Sequence, residues 1–522
     1  MNLKRRSLRM LLATALGLAV LPLLNGLMAT APPGAACCTI ERWFSSEPLL
    51  RAASGVLHRL GISVSPRQVV VGRAGWLYLG DAQSGSLSTH RRAGQASDVR
   101  LGQSYGDGAR RWASFLRGRG VPAFQILVAP DKASVYPEHL PRWALPPPGS
   151  GATDTLLAHT DPDLFVDTRA VLQRAVATAP APLFFRHDTH WNALGASHAF
   201  EALAQRLRAD LPDVVWPKPD EHRLVRLTPR AGGDLADFLR LGPWLTDEDP
   251  VLAASEALGA RVHQRYGTGE RLDPARVADA RVALTFPIQT RHDRALNPQR
   301  VLWITDSFGK SMDDLMHRTF AEVVTLHWRD VHKDGGQLIR LLDEVRPEAV
   351  IVTVVERSLA IPAFANFLLY PPDPGPGESD GASLTAELVE MSGVVRQGAS
   401  GDGFQVTSGA ASMTFSLPRP MVGADGLSLR LVCEGRAAAM PVQLFWRGPK
   451  EPRFHRDHSV RWLHVGDRSG LDGLRGANGR PAGEIQVLRL DLRGQGHCPQ
   501  FRLLGLALMP AEPSAVAGQP GR

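Results

Sequence analysis

The chain has 522 residues, too long for one compact core, so two or three domains are expected. Its composition, 44% apolar and 21% charged, is that of an ordinary globular protein and excludes a disordered or collagen-like chain. The net charge of +7 and pI near 9.5 are spread over scattered arginines with no basic stripe interleaved with aromatics, which argues against nucleic acid as partner.

At the N-terminus, Lys4, Arg5, Arg6 and Arg9 precede an apolar run from Met10 to Ala31 broken only by Asn25. This is a charged flank followed by a segment long enough to be a signal peptide or to span a bilayer. Residues 1–35 are therefore read as a signal peptide or N-terminal membrane anchor, with the remainder periplasmic and associated with the inner membrane. Of the four cysteines, Cys37 and Cys38 are adjacent, whereas Cys433 and Cys498 lie in one C-terminal region. In an oxidising compartment the latter two can pair; two free buried thiols are the alternative.

Residues 41–60 read as a short amphipathic helix. From Val69 to Leu359, apolar runs of strand length alternate with helical patterns: Val69–Val71, Trp76–Leu79, Ala123–Ala129, Leu164–Asp167, Leu183–Phe185, Val301–Thr305, Val323–His327 and Ala349–Val355. Continuous runs such as Ala349–Val355 suit a parallel sheet covered on both faces. The fold class is α/β, with residues 41–370 as one layered domain. Residues 371–382 are a Pro/Gly-rich linker by composition. Beyond it, Ser412–Leu417, Leu427–Cys433, Val442–Trp446 and Ile485–Leu492 alternate with glycine turns, so residues 383–511 are read as a β-sandwich and residues 512–522 as a disordered tail.

Two segments carry chemistry. Asp188 and His190 lie two apart after an apolar run, where a carboxylate orients an imidazole as general base. Ser307 follows the run Val301–Thr305 and precedes a helical pattern, so its hydroxyl sits at a helix start on the carboxyl end of a parallel strand. In isolation an Asp-x-His pair is more often a capping or structural pair, and Asp-Ser at a helix start is a cap at least as often as a nucleophile; together they indicate nucleophilic catalysis with no metal and no cofactor. Gly309-Lys310-Ser311 is not a phosphate loop, since Ile304 occupies the position of the required first glycine. His187, Asp188, His190 and His198 have no second cluster to complete a metal site.

These segments, with Val71–Tyr78, Val128–Pro137 and Val355–Arg357, resemble in order the motifs of alginate O-acetyltransferases of AlgJ and AlgX type. The resemblance implies an SGNH-hydrolase-like three-layer domain in permuted motif order, with Asp188 and His190 ahead of Ser307. It implies acyl transfer to an exported, alginate-like exopolysaccharide: Ser307 as nucleophile, His190 as base, Asp188 as orienting partner, and a membrane-bound acyltransferase as source of acetyl groups. An esterase or deacetylase with the same triad, and a non-catalytic polysaccharide-binding assembly factor, are the alternatives. Thr305 stands where the family commonly has glycine. Besides the Ser307 amide, Asn192, Arg329, Lys132 and Tyr136 are candidates for the oxyanion or substrate. In the C-terminal region, Trp446 and Trp462 are candidates for stacking on sugar rings, with core packing as the alternative.

Overall fold

A computed structural model describes residues 10, 22 and 45–510, apart from 280–282, 374–382, 399–400, 436–438, 473, 476–480 and 494–497. The anchor or signal segment, Cys37 and Cys38, most of the linker and the tail lie outside the described residues. No helix among the described residues is long and apolar enough to cross a membrane.

The centre of the first region is an eight-stranded sheet. Its strands are β3 (Ala123–Ala129), β4 (Phe165–Asp167), β7 (Arg261–Arg265), β8 (Arg271–Leu272), β9 (Ile288–His292), β10 (Asn297–Thr305), β11 (Phe320–His327) and β12 (Ala349–Val355). Their order is β4-β3-β12-β10-β11-β9-β7-β8. The first five are mutually parallel and the last three extend the sheet antiparallel. Two hairpins stand apart from it: β1 (Val69–Val71) with β2 (Leu77–Leu79), and β5 (Leu224–Ala231) with β6 (Thr246–Leu252).

The parallel strands are apolar throughout because both faces are covered. On one face Ala123, Leu127, Val301, Trp303, Ala349 and Ile351 pack under helix Ala193–Asp210. On the other, Phe124, Ile126, Leu302, Ile304, Val350 and Val352 pack under helices Ala96–Gly118, Lys333–Val345 and Pro362–Leu369. The alternation follows from the two-residue period of a strand. Two positions differ from expectation. Leu183–Phe185 forms no strand; a single bridge joins Phe184 to Trp191, because this segment folds back on itself beyond the carboxyl ends of β3 and β10. Val69–Leu79 forms a separate hairpin and stays outside the main sheet.

The C-terminal region consists of a six-stranded and a five-stranded sheet around one core, which is a β-sandwich. The four expected strands are present as Ala411–Met421, Ala424–Cys433, Ala439–Arg447 and Ile485–Leu492. Trp446 and Trp462 are 2% and 0% exposed, packed between the sheets, so neither ring offers a face to a sugar. The indole N–H of Trp462 donates to Ser469 Oγ at 2.8 Å. Cys433 and Cys498 are disulfide-bonded, with Cα atoms 5.5 Å apart.

That bridge closes a loop with 65 residues of sequence separation, which in the chain-entropy model stabilises by about 4 kcal/mol. Reducing it should shift the sandwich's denaturant midpoint downward by a corresponding amount, measured by near-UV circular dichroism. An unchanged midpoint would show that the bridge carries no stability.

Candidate active site

Ser307 enters at the carboxyl end of β10, the strand flanked by β12 and β11. Asp306 fixes the turn: its Oδ1 accepts from Phe308 N at 3.0 Å and its Oδ2 from Val355 N, at the end of β12, at 2.9 Å. Ser307 opens the 3-10 turn Ser307–Met312, so its own amide has no partner within that turn. Thr305, the departure from the family's glycine, packs against Gly309; a Cβ there would lie 2.2 Å from Thr305 Oγ1. The threonine and the bare glycine are therefore complementary.

The other half is the folded-back segment 183–192. Asn192 N donates to Leu183 O at 3.0 Å and Phe185 N to His190 O at 3.3 Å, which closes the loop. Lys132 Nζ binds its outer carbonyls, Phe185 O at 2.8 Å and Arg186 O at 3.0 Å. Asp247 accepts from the amides of Arg186 and His187 at 3.0 and 3.1 Å. Trp191 joins the halves: its indole donates to Phe308 O at 2.8 Å, and its carbonyl accepts from Ser311 Oγ at 2.9 Å.

This framework places His190 between Asp188 and Ser307. Nδ1 lies 2.6 Å from Asp188 Oδ1 and Nε2 lies 2.8 Å from Ser307 Oγ. An ionised carboxylate only accepts, so Nδ1 carries the proton and Nε2 is free to accept from the serine hydroxyl. Burial opposes the charge of Asp188, yet the bond and charge of His190, with Arg230, outweigh it and hold the carboxyl well below its usual range. Arg230 donates to Asp188 Oδ2 at 3.1 Å. Burial likewise opposes protonation of His190, and Asp188 and Asp234 overcome it, so the imidazole is raised above its usual value. Asp234 is itself raised, by burial and then by the Asp188 charge.

Sequence reasoning missed several of these residues. Asp234 accepts from Thr189 N at 2.7 Å and Thr189 Oγ1 at 2.5 Å, bracing the loop from the helix Asp234–Phe238. Arg357 pairs with Asp131, and its guanidinium lies 5.1 Å from the Phe308 ring centroid. Arg357 lies just past the end of β12, and its charge acts on His190. The Glu-Arg pair was visible in the sequence, but nothing there placed it beside the serine.

The four ancillary candidates separate from the reacting atoms. Asn192 is buried and fully engaged: Oδ1 caps helix Ala193–Asp210 at Leu194 N and Gly195 N, and Nδ2 donates to Pro182 O at 2.6 Å. Lys132 is spent on the loop carbonyls described above. Tyr136 OH accepts from Leu183 N at 2.9 Å, and its ring packs on Trp76. Arg329 is exposed, with its guanidinium over Trp328 at 5.0 Å. All but Arg329 thus hold the scaffold. Asp188, His190 and Asp234 bring ligand-type atoms within 4.8 Å of one another, but these bond to each other, to Thr189 and to Arg230.

Gly233 touches the orienting carboxylate so closely that a Cβ would sit 1.9 Å from Asp188 Oδ2. Its backbone is extended (φ −88°, ψ −151°), so Gly233→Ala tests displacement of Asp188 without backbone strain. Reaction of Ser307 with a fluorophosphonate should slow on the order of 10–100-fold, as expected for a misplacement near 1 Å; an unchanged rate would show that Asp188 is not needed in place. The same geometry predicts that His190, followed by NMR, titrates above the free-imidazole value of about 6.5. Asp188→Asn should bring that titration down, because burial is then less opposed. A titration unmoved by Asp188→Asn would break the pairing.

Residues 69–265 match the family described as the SGNH hydrolase-like domain, acetyltransferase AlgX. The chain is 29% identical over 253 residues to the probable alginate O-acetylase AlgJ of Pseudomonas aeruginosa, covering 46% of this chain and 56% of that one. It is 27% identical over 187 residues to the corresponding protein of Pseudomonas syringae pv. tomato, covering 34% and 42%. The chain thus spans about half the length of the curated relatives it matches. Among solved structures, the O-acetyltransferase domain of Pseudomonas putida AlgJ aligns with a TM-score of 0.32 at 20% identity, over 57% of this chain and 98% of that one, a likeness too slight to carry an argument. The matched segment contains Asp188 and His190 and ends before Ser307. Over that segment the chain is similar to the AlgJ/AlgX-type family of SGNH hydrolase-like acetyltransferases.

Proposed function

We propose that the protein transfers acetyl groups to hydroxyls of an exported polysaccharide through an acetyl-enzyme on Ser307. The observation that carries the reading is the pair of hydrogen bonds on His190, at 2.6 Å to Asp188 and 2.8 Å to Ser307. Ser307 Oγ attacks the acetyl carbonyl carbon while its proton passes to His190 Nε2. Asp188 holds the resulting imidazolium, and the carbonyl π pair moves to oxygen, facing the Ser307 amide. Collapse expels the donor's leaving group, which takes the proton from His190. A sugar hydroxyl then repeats the sequence, giving its proton to His190 and releasing the ester, and the proton returns to Ser307.

Support for a polysaccharide acceptor comes from the alginate O-acetylases to which the chain is similar. By the same analogy, a membrane-bound acyltransferase supplies the acetyl group, and the chain works in the periplasm. Alginate itself is the acceptor named for those relatives; the acceptor class proposed here is an acidic or neutral exopolysaccharide with free secondary hydroxyls.

The test is an acetyl-transfer assay from an activated acetyl ester to candidate oligosaccharides, with hydrolysis followed in parallel. Ser307→Ala should abolish both, together with the mass increase of one acetyl group on the peptide containing residue 307. Asp188→Asn should cost on the order of 10⁴-fold, as in serine proteases. Acetylation of the protein with only water accepting the group would make it an esterase. Full activity in folded Ser307→Ala would remove the mechanism.

A further inference from the structure

The helix Glu47–Arg59 is laid on the protein the wrong way round for a core helix. Its inward side is small or polar. Ser54 is buried and its Oγ donates to Leu239 O at 2.6 Å. Gly55 faces Leu241 and the Trp244 ring, which an added Cβ would meet at 3.9 and 3.7 Å. Glu47 pairs with Arg240 at 3.1 Å. At 100° per residue, Leu49, Ala53, Val56 and the capping Leu60 form one stripe on the opposite side. Leu49 is 50%, Val56 60% and Leu60 68% exposed. A soluble surface would carry polar groups at these positions.

We propose that this stripe docks on a phospholipid bilayer, with the helix lying in the membrane–water interface. The chain just upstream selects this occupant. Residues 10–31 are an apolar run of bilayer-spanning length behind four basic residues. Residues 32–44, thirteen in number, connect that run to residue 45. Fully extended they reach about 45 Å, so a chain inserted by that run holds the helix close to the surface. The flank of the stripe carries the exposed Arg59, suited to anionic headgroups. Trp244, 54% exposed beside Gly55, is the residue type that concentrates at bilayer interfaces.

The contact has a consequence for the site. The helix packs on Leu239 and Leu241, directly after the short helix whose Asp234 braces the His190 loop. Docking therefore sets this helix between the bilayer and the segment that follows Asp234.

The test uses the full chain in nanodiscs of phosphatidylethanolamine and phosphatidylglycerol, with Cys37 and Cys38 replaced by Ser. A nitroxide is placed at Val56→Cys and, separately, at Ala53→Cys, with Asp220→Cys as an exposed reference. Power saturation should show both helix positions more accessible to oxygen than to a nickel chelate, by several-fold relative to residue 220. Nickel access equal to that at residue 220 would overturn the proposal. So would spin–spin broadening that vanishes on dilution with unlabelled protein, which means a second copy covers the stripe. Exclusion of both reagents would also overturn it, by showing that another segment of the chain covers the helix. Because the readout is positional, it stands apart from any outcome of the acetyl-transfer assay.

Discussion

Trp191 is the joint on which the site depends. Its indole N–H and its carbonyl each bond across to the turn after β10, at Phe308 O and Ser311 Oγ. The histidine and serine segments are 117 residues apart in sequence, and this crosslink joins them above the sheet. The ring is fully buried and packs on Phe308, which also packs on His190 with ring centroids 4.9 Å apart. One large side chain thus sets both spacing and orientation, which a general base needs to reach its proton.

The loop that carries His190 could not hold its shape by apolar packing alone, because its backbone turns back within ten residues. Its polar groups are satisfied from outside. Lys132 supplies a buried ammonium to two carbonyls, and burial lowers that ammonium to about 8. Asp247 and Asp234 supply carboxylates to three amides. Each contact leaves a buried group unpaired if its partner is removed, at a cost of about 1–3 kcal/mol, more where the group is charged. The helix behind the loop comes close only because residue 195 is glycine; a Cβ there would lie 2.3 Å from Leu183 O.

The parts of this arrangement that were legible in the sequence are those governed by local rules. β3, β10, β11 and β12 were visible because strands buried on both faces are continuously apolar. The spacing of Asp188 and His190 and the position of Ser307 at the end of β10 were readable from local rules, whereas Leu183–Phe185, read as the strand leading into Asp188, forms none, so the carboxyl-end rule applied to the serine segment alone. The roles of Lys132, Tyr136 and Asn192 were not legible, because a lysine used to bind carbonyls looks the same in sequence as one used to bind substrate. Trp446 and Trp462 illustrate the same limit, since stacking and core tryptophans differ only in which side of a strand they occupy. Arg230 and Asp234 were missed because they come from the hairpin of β5 and β6 and its connection, where polar and apolar residues mix without a strong periodic signal.

The electrostatics of the site turn on Asp188 keeping its charge while buried. A lone buried carboxylate would take up a proton, since desolvation penalises the ion. Here the opposing side is supplied by His190 at 2.6 Å and Arg230 at 3.1 Å, while the neighbouring Asp234 yields instead and is raised. The two acids are thereby driven apart in acidity, with Asp188 held below the usual carboxylate range and Asp234, by burial first, raised above it. Arg357, on the serine side, acts in the opposite sense on His190, because its positive charge disfavours the imidazolium. A base whose proton affinity is raised from the Asp188 side and lowered from the Arg357 side can accept the Ser307 proton and still release it to a leaving group. In the proposed two-step acyl transfer, that balance would let one histidine take a proton and return it.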